Sequence, residues 1–404
     1  MFKVHCGACD TEARIGDMRC RSCNGILRFS YPDWNVESSV HSDRGVARYR
    51  TRIPLRDEES NHVISLGEGG TPLLKSSRYT PDVYFKLEFM NPTGSHKDRQ
   101  LAIAVDHARS LGHDTVAVVS AGSTGLSCAA YCAKAGLKCV IFMSKGAPKE
   151  RVYPAFQYGA DIVEVDESVD DILDEVDRLC GLTGIYHAST ASKYNPYQSE
   201  GPKTIAYEIC SQLGSAPSHV VVPVGGGGTI AALGRGFREL RDHEIIDVVP
   251  KLVGCVPSHL NSLLVAFDEG VNLYDDMTGW KQSGPETDVQ TKLSHLRPPD
   301  AQDALTEVRD SGGWFVETSD DFALDHQRAL AMSEGLYVEP SSAVVAKGIE
   351  SVQAQAREGV HVGATVALLS GSGFRETSTS MSYRPSSRRQ IGLLGLGPFF
   401  DGLS

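Results

Sequence analysis

The residue best placed to do chemistry is Lys97, in the stretch Asn91-Pro92-Thr93-Gly94-Ser95-His96-Lys97-Asp98-Arg99. Before it, the alternation Val83-Tyr84-Phe85-Lys86-Leu87-Glu88-Phe89 predicts a strand; after it, Leu101 to Ala108 carries a helical pattern. Lys97 therefore falls at a loop-to-helix junction. The positive end of a helix dipole lowers the cost of a neutral amine there, and a neutral amine is the form that attacks an aldehyde. Gly225-Gly226-Gly227-Gly228-Thr229 follows the apolar run Val220–Val224 and opens another helical stretch. Four consecutive glycines let backbone N–H groups close on an anion at a helix start. A third constellation is Cys6-x-x-Cys9 and Cys20-x-x-Cys23, separated by ten residues. Two such knuckles bring four soft thiolates within tetrahedral reach of one ion, which suits zinc. A redox pair is the competing reading, but no strand-helix-strand context surrounds either pair.

The elements that must position these residues follow from the hydrophobic pattern. Thr115–Ser120, Lys138–Met143, Ile162–Val165, Val220–Val224 and Ala364–Leu369 read as buried strands alternating with helical stretches, the signature of an α/β protein with parallel sheets. Ser120 empties into Ala121-Gly122-Ser123-Thr124-Gly125, a small-residue turn before an alanine-rich helix, and the last strand delivers Ser370-Gly371-Ser372-Gly373. Residues 275–300 have turn composition and are expected to form a surface excursion or lid.

Composition sets outer bounds. At 404 residues the chain is long enough for two or three domains with ample core. A formal net charge of −12 disfavours phosphate-backbone binding, so nucleic acid is not an expected partner. No apolar run is long enough to span a bilayer, and the first residues lack the h-region of a signal peptide. Ten cysteines without a secretory signal point to reduced thiols and a cytoplasmic location.

Asn-Pro-Thr-Gly-Ser-x-Lys-Asp-Arg resembles the Schiff-base motif of the threonine synthase-like family of fold-type-II pyridoxal 5′-phosphate (PLP) enzymes. Further matches lie in the same order: Gly67-Glu68-Gly69-Gly70-Thr71-Pro72-Leu73, Asn195-Pro196-Tyr197 through Glu200-Gly201-Pro202-Lys203-Thr204, the glycine run at 225–228, Glu339-Pro340-Ser341-Ser342-Ala343, and the serines after the last strand. The resemblance extends over roughly residues 1–376. It implies a small zinc-ribbon-like module at 1–35, a large PLP-binding domain from 36–99 and 196–376, a small mobile α/β domain at 100–195, and a tail at 377–404. The tail is either disordered or docked on a neighbouring subunit. The cofactor is expected between the two α/β domains, with Lys97 as its anchor and Gly225, Gly226, Gly227, Gly228 and Thr229 cradling its phosphate. Ser370 is expected to face the pyridine nitrogen. Ser120, Thr124 and Gly125 are expected to hold the substrate carboxylate, with Asn195 and Gln198 nearby. Cys6, Cys9, Cys20 and Cys23 would hold a structural Zn2+, and the chain would form a homodimer.

Departures from the family pattern bear on the substrate. Ser123 stands where members usually carry an Asn facing the cofactor's 3′-oxygen. His96 replaces the usual Phe, as in tryptophan synthase β chains, where that His lies beside the cofactor phosphate. Gln198 occupies a place where many members have Arg, and the family's Gly-Leu-Lys-Asp appears as Gly373-Phe374-Arg375-Glu376. The resemblance implies a lyase that eliminates or replaces a γ-substituent of an amino acid such as O-phosphohomoserine. Chemistry at the β-carbon of a serine-derived substrate is the alternative, and a non-catalytic PLP-fold binding protein is a third reading. With Gln198 offering only a neutral amide, a less charged side chain than phosphohomoserine's is expected, unless Lys203 or Arg151 supplies the missing cation.

Overall fold

A computed structural model describes residues 2–31, 45–54, 64–80, 82–146, 149–274, 289–360 and 362–377, with isolated positions between 277 and 287. The 378–404 part of the tail and the side chain of Arg151 lie outside the described residues.

A two-stranded antiparallel ribbon, β1 (Lys3–Cys6) and β2 (Leu27–Ser30), carries the four N-terminal cysteines. Two sheets make the body. The first has six strands in the order β11-β10-β9-β12-β4-β3: β3 (Leu73–Lys75), β4 (Val83–Lys86), β9 (His219–Pro223), β10 (Lys251–Pro257), β11 (Trp314–Thr318) and β12 (Thr365–Leu368). It is parallel except for the edge strand β3, which pairs antiparallel with β4. The second sheet is wholly parallel, in the order β7-β6-β5-β8: β5 (Thr115–Val119), β6 (Lys138–Ser144), β7 (Asp161–Val165) and β8 (Tyr186–His187). β9 and β12 are buried along their whole length, as continuous apolar runs covered by helices on both faces must be.

The helices that matter for function start where strands end. They are α1 (Lys97–Ser110), α2 (Ser123–Ala135), α3 (Lys149–Gln157), α4 (Val169–Thr183), α5 (Glu200–Leu213), α6 (Gly228–Asp242), α7 (Ser262–Asp268) and α8 (Ala301–Asp310). After these come α9 (Asp320–Glu334), α10 (Pro340–Ala343) and α11 (Val345–Arg357). Because all strands of each sheet but β3 run parallel, the turns into α2 and α6 lie at the carboxyl ends of β5 and β9. Open α/β sheets place their ligands at such ends.

Two expectations need correction. The strand predicted over 83–89 stops at Lys86 and gives way to a 3-10 turn at Glu88–Met90. Glu88 turns inward to a fully buried ion pair with Arg99, which overrides the alternation. Of the two expectations for 275–300, a surface excursion or a lid, the described end departs from the first: residues from Thr291 to Asp300 line a cavity.

Candidate functional site

Lys97 is fixed by its neighbours rather than by its own contacts. Asp98 is buried and accepts from the Thr93 amide (2.7 Å), the Thr93 hydroxyl (2.6 Å) and Ser127 (2.6 Å), tying the turn to both α1 and α2. Arg99 forks between two carboxylates, at 2.7 Å from both Glu88 and Glu208, and Lys86 joins Glu208 at 2.6 Å. Buried charges persist only when paired in this way. With both following residues locked, the first turn of α1 holds Lys97 against a cavity of about 240 Å³ between the two sheets.

The cavity has two edges built from helix starts. On one side are Gly225 to Thr229, at the amino end of α6; on the other are Ser120 to Thr124, at the amino end of α2. At two positions the first edge admits only glycine. A Cβ on Gly225 would stand 2.9 Å from the Cα of Leu293, and Gly227 has a φ of +91°, in the left-handed region that other residues rarely adopt. At the second edge the Ser120 hydroxyl accepts from the Gly122 amide at 3.0 Å, which shapes the loop, and Thr124 Oγ1 lies 3.5 Å from Thr190 Oγ1.

Burial sets the protonation states. The Lys97 amine, removed from water, is pushed down to about 8, although Asp300 and Glu339 oppose the shift. Its Nζ lies 3.4 Å from Thr190 Oγ1. Burial beside Lys97 pushes His96 down to about 3, so the ring is neutral. Its Nδ1 lies 3.2 Å from the Ser370 carbonyl, so that nitrogen carries the proton and donates. Nε2 must then accept, and Thr229, at 3.2 Å, is the donor. His96 thus bridges the glycine loop to the end of β12. Ser370 lines the cavity there and meets Ser342 Oγ at 2.7 Å.

These residues fit PLP. The glycine edge presents a helix start to a phosphate, Lys97 faces the same space as a poorly solvated amine, and the Ser370 hydroxyl stands at the far wall. The structure gathers Lys97, His96, Ser120, Ser123, Thr124, the 225–229 loop and Ser370 around one cavity.

Three residues named from the sequence fall elsewhere. Gly125 sits inside the first turn of α2, where a Cβ would press on the Ser120 carbonyl at 3.1 Å; it shapes the loop and does not line the cavity. Asn195 is buried, donating to Tyr186 Oη and the His187 carbonyl, both at 3.0 Å. Gln198 accepts from Gln100 Nε2 at 2.6 Å in the interior. The Pro196 turn packs Tyr197 onto His107, ring centroids 3.6 Å apart, and that stacking draws the whole segment into the core. Gln198 therefore offers nothing to a substrate phosphate, and its identity is no reason to expect a less charged substrate. Lys203 does not replace it either, being paired with Glu200 and Glu239 away from the cavity.

The sequence reading missed Lys292 and Asp300, and gave no role to Glu339 or Arg375. Lys292 lines the cavity and pairs with Glu339 and, at 3.2 Å, with Glu376. Arg375 Nη1 donates to Ser123 Oγ at 2.9 Å. Lys292 and Asp300 arrive on a segment of turn composition, which carries no periodicity to flag them.

In the ribbon, Cys6 and Cys23 Sγ are 3.4 Å apart, Cys9 and Cys23 3.4 Å, and Cys9 and Cys20 3.7 Å. A tetrahedron with Zn–S bonds of about 2.3 Å has edges of about 3.8 Å, so the four thiols fit one zinc ion with little adjustment. Gly25 passes so close that a Cβ would stand 2.9 Å from Cys6 Sγ.

Comparison with known proteins agrees with this geometry. The family model described as "Pyridoxal-phosphate dependent enzyme" matches residues 64–371. A threonine synthase from Methanocaldococcus jannaschii is 35% identical over 343 residues, covering 82% of each chain. One from Mycobacterium leprae is 31% identical over 347 residues, 84% of this chain and 91% of that relative. Among solved structures, O-ureido-L-serine synthase superposes with a TM-score of 0.62 at 24% identity, covering 79% of this chain and 94% of that one. Threonine deaminase isoform 2 from Solanum lycopersicum superposes with a TM-score of 0.62 at 19% identity, covering 77% and 86%. At those identities the structural likeness speaks for the fold.

Proposed function

We take as premise that this chain belongs to the family of pyridoxal-phosphate dependent enzymes, and we propose that it is a lyase of the threonine synthase type, releasing or replacing a γ-substituent of an amino acid of the O-phosphohomoserine class. The observation that carries this reading is the placement of Lys97, a buried amine in the wall of a cavity bounded by two helix starts on two different sheets.

Bound PLP supplies an electron sink for negative charge at the substrate's α-carbon. The Gly225–Thr229 edge would hold the cofactor's phosphate, with Ser370 as the hydroxyl partner of its ring nitrogen. A hydroxyl there, unlike a carboxylate, need not hold that nitrogen protonated. The Ser120–Thr124 edge receives the substrate carboxylate on N–H groups at the start of α2. Lys97, shifted to about 8, holds or gives up a proton near neutral pH and is the base for the α-proton. Val119, Val169 and Leu173 close the wall with apolar surface that keeps bulk water from the reacting atoms.

Zn2+ on Cys6, Cys9, Cys20 and Cys23 is structural in this reading, since four thiolates leave no open coordination position. The 100–195 unit moves against the rest of the chain, which works as a homodimer in the cytoplasm. Among the described residues no helix is long and apolar enough to cross a membrane.

The test is direct. The PLP-loaded chain is incubated with O-phosphohomoserine, O-phosphoserine, serine and threonine, and phosphate and amino-acid products are followed. Phosphate release with threonine formation from O-phosphohomoserine is the expected result. Turnover confined to O-phosphoserine or serine would replace γ-chemistry with β-chemistry.

A further inference from the structure

Asp300 is in an unusual position for a carboxylate. It stands at the amino end of α8, where Asp is a favoured capping residue, yet its side chain makes no capping hydrogen bond to that helix. Instead Oδ1 accepts from the Ser192 amide at 2.8 Å, and the residue lines the same cavity as Lys97. Its own amide donates to the Gly226 carbonyl at 2.9 Å. Oδ2 lies only 2.5 Å from the point where a Cβ on Gly228 would stand, against the first residue of α6. A carboxylate has been diverted from its local role onto the edge that accepts an anion.

Two ionised acceptors cannot share a hydrogen bond, and like charges at close range disfavour each other. One of them must carry a proton. We propose that Asp300 is a cofactor-facing acid whose carboxyl group is protonated when a phosphate occupies the Gly225–Thr229 edge, so that binding a pyridoxal-type phosphate takes up one proton. The inference rests on the cofactor reading above and adds to it a residue and a proton.

The surroundings favour the neutral form before any ligand arrives. Burial and the charge of Asp303 push Asp300 up to about 7, against the opposing pull of Arg235 on α6, the Ser192 amide and Arg28 on β2. Those two arginines are partly spent on Asp303: Arg28 at 2.5 Å and Arg235 at 3.7 Å. Asp300 in turn favours the charged form of Lys97 at the start of α1, a pairing that opposes the neutral carboxyl. His295, on the same covering segment, has Nδ1 3.5 Å from Asp170 and Nε2 3.7 Å from the Cβ position of Gly226. The 189–192 strand end contributes only backbone and hydroxyl groups. A phosphate dianion added to this set pushes the carboxyl further up, and by linkage the affinity for that phosphate falls as pH rises through the carboxyl's unbound range.

The test uses the full chain freed of cofactor and pyridoxine 5′-phosphate, which lacks the aldehyde and so cannot react with Lys97. Its dissociation constant is measured by equilibrium dialysis at about pH 6.5 and about pH 8.5, for wild type and for Asp300→Asn. Wild type should weaken on the order of 20-fold across that range, as expected for one proton lost from a group near 7. Asn keeps the acceptor for Ser192 and supplies a permanent neutral donor, so Asp300→Asn should change at most about threefold. Should the variant fold poorly, calorimetric titration of wild type at about pH 7.5 in two buffers of different ionisation enthalpy must show uptake of about three quarters of a proton per chain. The same pH dependence in both chains, or no proton uptake by wild type, overturns the proposal while leaving the cofactor reading intact. Failure of both chains to bind at either pH overturns the cofactor reading and the proposal with it.

Discussion

Arg375 donates from Nη1 to the hydroxyl of Ser123 at 2.9 Å, joining the segment after β12 to the loop that opens α2. The contact ties the two sheets together beside the cavity. It also occupies a side chain that the family pattern would aim at the cofactor. A hydrogen bond to a charged group is worth about 1.5–3 kcal/mol to the fold, so Arg375→Met should lower the unfolding free energy in urea by about that amount. Ser123→Ala in the Arg375→Met background should add little, because the two side chains act as one unit. Urea unfolding of the two single variants and the double variant checks both statements. Additive losses would separate the residues.

Behind Lys97, the buried set Lys86, Glu88, Arg99 and Glu208 is a liability as well as a support. Glu208→Gln leaves Arg99 and Lys86 short of a carboxylate and should cost about 3–5 kcal/mol in urea unfolding. The pH dependence has a definite sign. Burial would raise Glu208, but Arg99 and Lys86 hold it below the usual carboxylate range. Its contribution is therefore complete above about pH 4.5 and is lost as pH falls from there through the lowered folded value. Wild type should lose stability in that acid window more steeply than Glu208→Gln does.

The glycine edge was legible in the sequence because it stands where an apolar strand gives way to a helix, whereas Lys97 and Ser370 were singled out by the family resemblance. In a parallel sheet such junctions converge on one end. Ser120, Ser123 and Thr124 followed from the same rule. Asn195 and Gln198 were placed near the substrate by resemblance alone, and no pattern in the sequence shows that His107 stacks on Tyr197 and the turn lies inside. Lys292 and Asp300 were invisible for the opposite reason. They come from a stretch without periodicity that only tertiary packing lays across the end of β9.

Zinc should be tightly held and dispensable for chemistry. Metal analysis of protein prepared without chelator is expected to give one zinc per chain, and Cys20→Ser should lower that content. Stripping the metal should lower the unfolding temperature far more than it changes the turnover of loaded enzyme, as a closed four-thiolate site implies. Protein lacking zinc, with all four thiols readily alkylated, would exclude the site.

The buried amine sets the pH dependence of cofactor uptake. Only neutral Lys97 attacks an aldehyde, and burial has moved the amine down to about 8. At saturating PLP, where the pH dependence of binding drops out, the rate at which the cofactor-free chain reacts should climb with pH and level off above about 8 in stopped-flow absorbance. A rate still climbing towards the range of a solvated lysine, about 10.4, would show the amine to be unperturbed.

The most direct test of the account is to reduce the PLP-loaded chain with borohydride and map the labelled peptide by mass spectrometry. The prediction is one phosphopyridoxyl group per chain, on the peptide containing Lys97, and none on Lys97→Ala. Label on Lys292, Lys203 or any other lysine, or a reducible adduct that survives Lys97→Ala, would contradict it.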